Sequence, residues 1–265
     1  MERISLNNVS NLITDGDYIV DGLKLLNKKI NIELEVNSLC DIFVDNLANI
    51  EEINIVISDD SSLTLSLLGE EKTLKNKINI TIKKNGELSG YFADFSENNS
   101  DFNCLINLAD EFATGSFKVA SLAALSDYKK IDISLVHTKP KTHGKVECYG
   151  VCKDTASLVF SGTSHILKGS IESKTQQTAK IMVFDKDNKA IAKPILKIDE
   201  NEVEANHAAV VGKINDEHLF YLTSRGLSET EAKELITLGY LKPILLGFKE
   251  EETKNHISSL IEGRM

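Results

Sequence analysis

The chain has 265 residues, 42% of them hydrophobic and 26% charged, with a formal net charge of −10; this is enough for one large soluble domain or two modest ones. The acidic balance argues against broad binding to nucleic acid or anionic membrane, and no uncharged apolar run reaches the ~18 residues that span a bilayer. The opening MERISLNNVSNLITDGD lacks the apolar stretch of a signal peptide, so a cytoplasmic setting is expected, in which Cys40, Cys104, Cys148 and Cys152 are reduced thiols.

Residues 1–27 read as a short N-terminal segment, with a strand or a short helix between Asp17 and Leu26. From Lys29 a pattern recurs: KINIELEV (29–36), EINIVIS (52–58), KINITIK (77–83) and KIDISLV (130–136). Each alternates apolar and polar residues, as a half-buried strand does. Ile30, Ile53, Ile78 and Ile131 are 23, 25 and 53 residues apart, the last interval being about double. A strand-bearing repeat of roughly 20–30 residues is the signature of a solenoid. Further short strands are predicted at Leu63–Leu68, Leu88–Phe92, Cys104–Leu108, Ser116–Leu122 and Lys145–Tyr149. Others follow at Ser157–Phe160, Ile166–Ile171, Ile181–Phe184, Ile191–Lys197 and Val203–Ala205. A sandwich or barrel gives a similar count of strands, but hairpin dipeptides are scarce here and the spacing is irregular. The pattern therefore predicts a mainly β chain: a right-handed parallel β-helix over residues 28–205, then a small C-terminal α-helical segment over 206–265.

The texture changes near residue 215. Asn215 or Asp216 can cap a helix through Leu219, Phe220, Tyr221 and Leu222, which Gly226 ends. Ser228 opens a second helix, with Glu231 completing a capping box. Ala232, Leu235, Ile236 and Leu238 give it an apolar stripe; Gly239 closes it and Pro243 follows as a stop. Two short helices cannot bury all these side chains on each other, so some face the strands and others suit a partner. Lys249 to Lys254 reads as a solvated helix face. Leu245, Leu246, Phe248, Ile257, Leu260 and Ile261 are apolar anchors.

Candidate chemistry is sparse. Nucleotide-binding glycine motifs are absent, and Gly212-Lys213-Ile214 lacks the upstream glycine and the following hydroxyl of a phosphate loop. Cys148 and Cys152 stand four apart, a weak signal for zinc or a cluster without a second pair; two small core residues are the plainer reading. His137 and His143 flank Pro140 and fit a metal pair or a solvated turn. His165 and His218 read as surface or packing residues. His207 falls where the last strand gives way to helix. It is either a packing histidine with a hydrogen-bonded ring, or a group that ligates iron or moves a proton.

One stretch carries more. His207-Ala208-Ala209-Val210-Val211-Gly212, Asp216-Glu217, Leu219-Phe220-Tyr221-Leu222 and Arg225-Gly226 resemble the SufB/SufD family of iron–sulfur cluster assembly proteins. Upstream, His137, Pro140, Gly150-Val151, Asp154, Ala156, Phe160-Ser161-Gly162 and Gln176-Gln177-Thr178 extend the likeness over about residues 130–245. The resemblance implies a β-helix scaffold rather than an enzyme, with His207 as the cluster-assembly and metal candidate. It implies a SufC-type ABC ATPase bound through Leu219, Phe220, Tyr221, Arg225, Leu235 and Ile236. It also implies pairing with a SufB-type subunit, or a homodimer, through strands near Ile191–Ala205. SufB-type members carry a cysteine where this chain has Thr178 and a glutamate where it has Ala208; many SufD-type members have a cysteine where it has Ala205. The chain is thus SufD-like, without a tightly bound cofactor of its own, a cluster being transient in the complex. A carbohydrate-active β-helix enzyme and a purely structural β-solenoid are the alternatives.

Overall fold

The computed structural model describes residues 4–5, 10–25, 28–70 and 73–265. The strands in chain order begin with β1 (Ile4–Ser5), β2 (Ser10–Ile13), β3 (Gly16–Asp21), β4 (Lys29–Leu34), β5 (Leu39–Asp45) and β6 (Glu52–Ile57). The middle of the chain gives β7 (Ser62–Gly69), β8 (Thr73–Ile82), β9 (Glu87–Asp94), β10 (Asn99–Leu108), β11 (Thr114–Ala123) and β12 (Tyr128–His137). Last come β13 (His143–Cys152), β14 (Ser157–Ile166), β15 (Lys174–Val183), β16 (Lys189–Ile198) and β17 (Glu204–Lys213). Odd-numbered strands form one sheet and even-numbered strands the other, and each strand pairs in parallel with the strand two places on. This is a parallel β-solenoid, as the alternation predicts.

The coils are not a constant repeat. Inward positions of the odd sheet run Ile42, Leu65, Gly90, Phe117, Val146, Gln177, His207. Successive coils along this ladder therefore span 23, 25, 27, 29, 31 and 30 residues. Strands lengthen with them, from 6 residues in β4 to 10 in β10 and every later strand. The widening explains one departure from the sequence pattern. Ile30, Ile53 and Ile78 do stack, but their ladder continues through Cys104 to Ile133. Ile131 stands over Phe102 instead. A constant repeat misplaces the fourth isoleucine because the coils between grew.

One corner recurs at each turn. Asn37, Asp60, Asn85, Phe112, Lys141 and Glu172 all adopt φ between +53° and +62°. Asn and Asp tolerate this left-handed conformation, so the first three positions are chemically apt. The other three are held there by stacking: Lys141 N–H donates to Ile171 O, and Lys141 Nζ lies 5.6 Å over the Phe112 ring. Turn geometry also corrects the predicted strand Ile166–Ile171. β14 stops at Ile166, and Gly169 turns the chain with φ of +90°.

The helical segment is α1 (Asp216–Ser224), α2 (Glu229–Leu241), a 3₁₀ turn over Lys242–Gly247 and α3 (Glu251–Glu262). Asn215 caps α1, accepting from Glu217 N–H and His218 N–H, and Gly226 follows at φ +98°. The Ser228–Glu231 capping box of α2 is formed. Gly239 does not close α2, which runs on to Leu241 because tertiary contacts bury Leu241 and Ile244. The 3₁₀ turn and α3 then lie back across the outer face of the odd sheet as a brace. Leu245, Phe248, Ile257 and Ile261 pack there on Phe43, Leu68, Phe95, Leu122 and Val151. Strands β5, β7 and β11 thus bury both faces at their C-terminal ends, where alternation gives way to continuously buried runs of small and apolar residues such as ASLA.

Polar contacts lock the brace. Lys249 Nζ bonds Asp17 at 2.6 Å, His256 bonds Glu70, and Arg264 bonds Asp127 and the carbonyls of Phe95 and Ser96. Gly247 sits where a Cβ would lie 2.2 Å from Tyr91 Cγ. Beneath Arg264, the fully buried Lys129 pairs with the fully buried Asp94 at 3.0 Å. Burial pushes the Lys129 ammonium below its ordinary range, while Asp94 opposes that shift.

Candidate functional site

The wide, C-terminal end of the solenoid is where the candidate residues gather. β17 pairs only with β15 and β16 only with β14, so among the described residues both sheets end there in an open edge. His207 lies in the middle of β17, which continues to Lys213. The strand-to-helix junction therefore falls about eight residues later than the boundary at 205–206 predicts. Small residues, AVV and G, hide a strand here because they carry no strong alternation.

Side-chain direction follows from register. Gln177 points inward and is buried, and His207 stacks directly over it in the same ladder. His207 therefore faces the solenoid interior from the last coil, yet it is exposed because nothing covers that coil. Its ladder neighbours Ala205 and Ala209 are small. Thr178 and Ala208, also in register with each other, point to the opposite, outer face. These two positions and His207 are thus separated by the thickness of the sheet.

The interior changes character toward this end. Early coils are filled by Ile, Leu and Phe, including the Phe92–Phe102 stack at 4.0 Å. Later coils contain Ser164, Thr175 and Gln177, all buried. Thr175 Oγ1 donates to Ser164 Oγ at 2.9 Å, and Gln177 Nε2 donates to Ser164 Oγ at 2.6 Å and to Ile195 O at 3.2 Å. Gln177 Oε1 is buried with no hydrogen-bond partner. Sequence reading passes over this cluster; its signal is three polar residues on the inward phase of strands that elsewhere are apolar.

The remaining candidates separate. His137 is fully buried, not in a solvated turn, and His143 is exposed on the outer phase of the next strand. They form no metal pair, because strand alternation sends them to opposite sides. His137 Nδ1 meets Thr142 Oγ1 at 2.8 Å, while its Nε2 has no partner. Burial, with His143 adding to it, pulls the His137 imidazole down to about 4. Cys148 and Cys152 are free and buried, and burial raises their thiols to about 12 and about 11. Neither is poised to be a thiolate ligand. His165 bonds Asp199 at 2.7 Å near the surface, and among the described residues no group of three or more His, Cys, Asp or Glu could hold a metal ion.

The helix candidates also divide. Phe220, Tyr221 and Leu235 are exposed, at 73%, 55% and 51%. Arg225 lies 5.0 Å over the Tyr221 ring, holding that side chain on the surface. Leu219 and Ile236 are half-buried, with Ile236 packed against the brace cluster. α1 buries none of its residues. No helix among the described residues is long and apolar enough to cross a membrane.

Comparison with known proteins accords with this arrangement. The chain is 30% identical over 159 residues to the iron–sulfur cluster assembly protein SufD of Bacillus subtilis (strain 168), covering 60% of this chain and 36% of that protein. It is 27% identical over 141 residues to an iron–sulfur cluster assembly SufBD family protein of Staphylococcus saprophyticus, covering 53% and 30%. A SufBD family protein of Staphylococcus aureus (strain USA300) matches at 26% over the same length, again covering 53% and 30%. The chain thus spans about a third of the length of these relatives. The family model described as SUF system FeS cluster assembly, SufBD core domain, matches residues 22–240, which take in the solenoid from β4 onward, His207, α1 and all but the last residue of α2. The chain belongs to the SufBD family of the SUF iron–sulfur cluster assembly system.

Proposed function

We propose that this chain is a SufD-like, non-catalytic scaffold subunit of a cytoplasmic complex that builds iron–sulfur clusters. A SufB-type solenoid, or a second copy of this chain, covers its open end, and a SufC-type ABC ATPase docks on α1 and α2. One observation carries the reading: among the described residues the solenoid ends in two unpaired strand edges, with His207 exposed on the inward face of the uncovered last coil. Unpaired edges are templates for another strand, and solenoids need a cap on their last coil. A partner seated there encloses the imidazole, where it can ligate iron or hold a proton.

The exposed Phe220, Tyr221 and Leu235 on the helix pair favour a second docking surface, distinct from the edges. Only Ile214 and Asn215 separate β17 from α1, so motion of the helix pair reaches the strand that bears His207. Thr178, Ala205 and Ala208 supply no thiolate or carboxylate, so the isolated chain is expected to hold no stoichiometric cluster after anaerobic reconstitution.

The test uses the complex with SufB-type and SufC-type partners. Removing residues 216–265 would strip the brace from Phe43 and Phe95, so point variants are preferable. Phe220→Asp with Leu235→Asp is expected to abolish capture of the ATPase, while His207→Ala keeps capture and lowers cluster production at least tenfold. If His207→Ala supports normal production in a complex that requires this subunit, His207 is a packing residue and the assembly role fails.

A further inference from the structure

The buried acceptor beneath His207 calls for an explanation. Gln177 is 4% exposed, and its amide nitrogen is held by Ser164 Oγ and Ile195 O. Turning the amide over would set its oxygen against the Ile195 carbonyl oxygen, so these bonds fix which end is which. Oε1 is then left buried and unpartnered. It points toward Gly162, where a Cβ would lie 3.1 Å away, so only the missing side chain leaves it room. An orphaned acceptor of this kind is costly to bury, and it stands one coil below an imidazole that has an N–H to give.

The spacing between coils is one that stacked side chains in this protein already bridge. On the outer face, Asn79 Nδ2 donates to Asn54 Oδ1 at 2.7 Å and Asn54 Nδ2 to Asn31 Oδ1 at 2.9 Å, each pair being register neighbours. Gln177 and His207 are register neighbours in the same sense.

We propose that Gln177 is the positioning residue of His207: the two are not bonded in this conformation, and rotation of the exposed imidazole lets Oε1 accept its N–H, fixing one tautomer and leaving the other ring nitrogen bare at the open end. A ring nitrogen so presented is the lone pair that a metal or a proton needs, as when a ligating histidine gives its other N–H to a carbonyl oxygen. The biological meaning rests on the assembly role proposed for His207; the hydrogen bond does not.

The test is imidazole nitrogen NMR on the full ¹⁵N-labelled chain at about pH 8.5, where an ordinary imidazole is neutral. His207→Ala assigns the signals. Wild type is expected to show His207 dominated by one tautomer, while Gln177→Met shifts it to the mixed pattern of the exposed His218. Gln177→Asn, one methylene shorter, is expected to do the same and serves if the Met variant does not fold. The buried His137 signals, unchanged, report the fold. Identical His207 shifts in wild type and a folded Gln177 variant overturn the pairing. A normal tautomer shift with undiminished cluster production by His207→Ala in the complex would instead leave the pairing standing and remove the assembly role.

Discussion

Acid should destabilise this protein through one buried residue. His137 is neutral in the fold: Nδ1 is hydrogen-bonded to Thr142 Oγ1, which in turn donates to Lys139 O at 3.2 Å, and Nε2 is buried without a partner. Its imidazole falls from 6.5 to about 4 in the folded chain. For a base with a lowered folded pKa, the unfolded chain binds the proton first, so stability falls as pH drops from 6.5 toward 4 and levels off below. That fall, at 1.36 kcal/mol for each tenfold change in proton affinity, gives a full loss of about 3 kcal/mol. Above pH ~7.5 the residue contributes no slope.

Carboxylates titrate in the same window, so the quantity to measure is a difference. Urea unfolding of wild type and His137→Leu, followed by circular dichroism at about pH 7.5, 6.5, 5.5 and 4.5, isolates the histidine. The protein is kept dilute because its pI of about 5.2 falls inside the range. Leucine is expected to be the less stable at pH 7.5, since it removes the bond between the ring and Thr142 Oγ1. The gap should close or reverse by about 2.5 kcal/mol on going to the lowest pH, the remainder appearing only below pH 4. Parallel pH profiles for the two proteins would refute the argument and show that His137 is solvated or already charged.

Asp94→Ala strands the buried Lys129 ammonium and should cost about 3–5 kcal/mol in urea midpoint analysis, whereas Asp94→Leu with Lys129→Met should recover most of the loss. Gly247→Ala forces a Cβ into Tyr91; it should cost about 1–3 kcal/mol and speed proteolysis of the brace before the solenoid is cut. Ser228→Ala removes the α2 capping box and should cost about 1 kcal/mol, read as earlier thermal melting. Cys148 and Cys152 should resist alkylation in the folded protein at neutral pH and react on unfolding, as counted by mass spectrometry.

The sequence by itself determined the architecture. Alternation at Ile30, Ile53 and Ile78 is a local consequence of half-burial and repeats because each coil poses the same packing problem to the next. The caps at Asn215 and Ser228 were legible for the same reason: their hydrogen bonds close within three residues. The family likeness in residues 130–245 pointed to His207, though not to its setting within a strand. Only the tertiary structure decided the rest. Coil growth from 23 to about 30 residues is a property of whole turns, so it moved Ile131 out of the ladder without any local signal. The burial of both faces of β5, β7 and β11 depends on a brace about 120 to 200 residues downstream in sequence. His137 became a core residue and His143 a surface one through the phase of two strands joined by a turn. Gln177 acquired an unpartnered oxygen beneath His207 through a register between strands 30 residues apart. Side-chain direction and burial are set by which strand lies beside which, and that information is long-range.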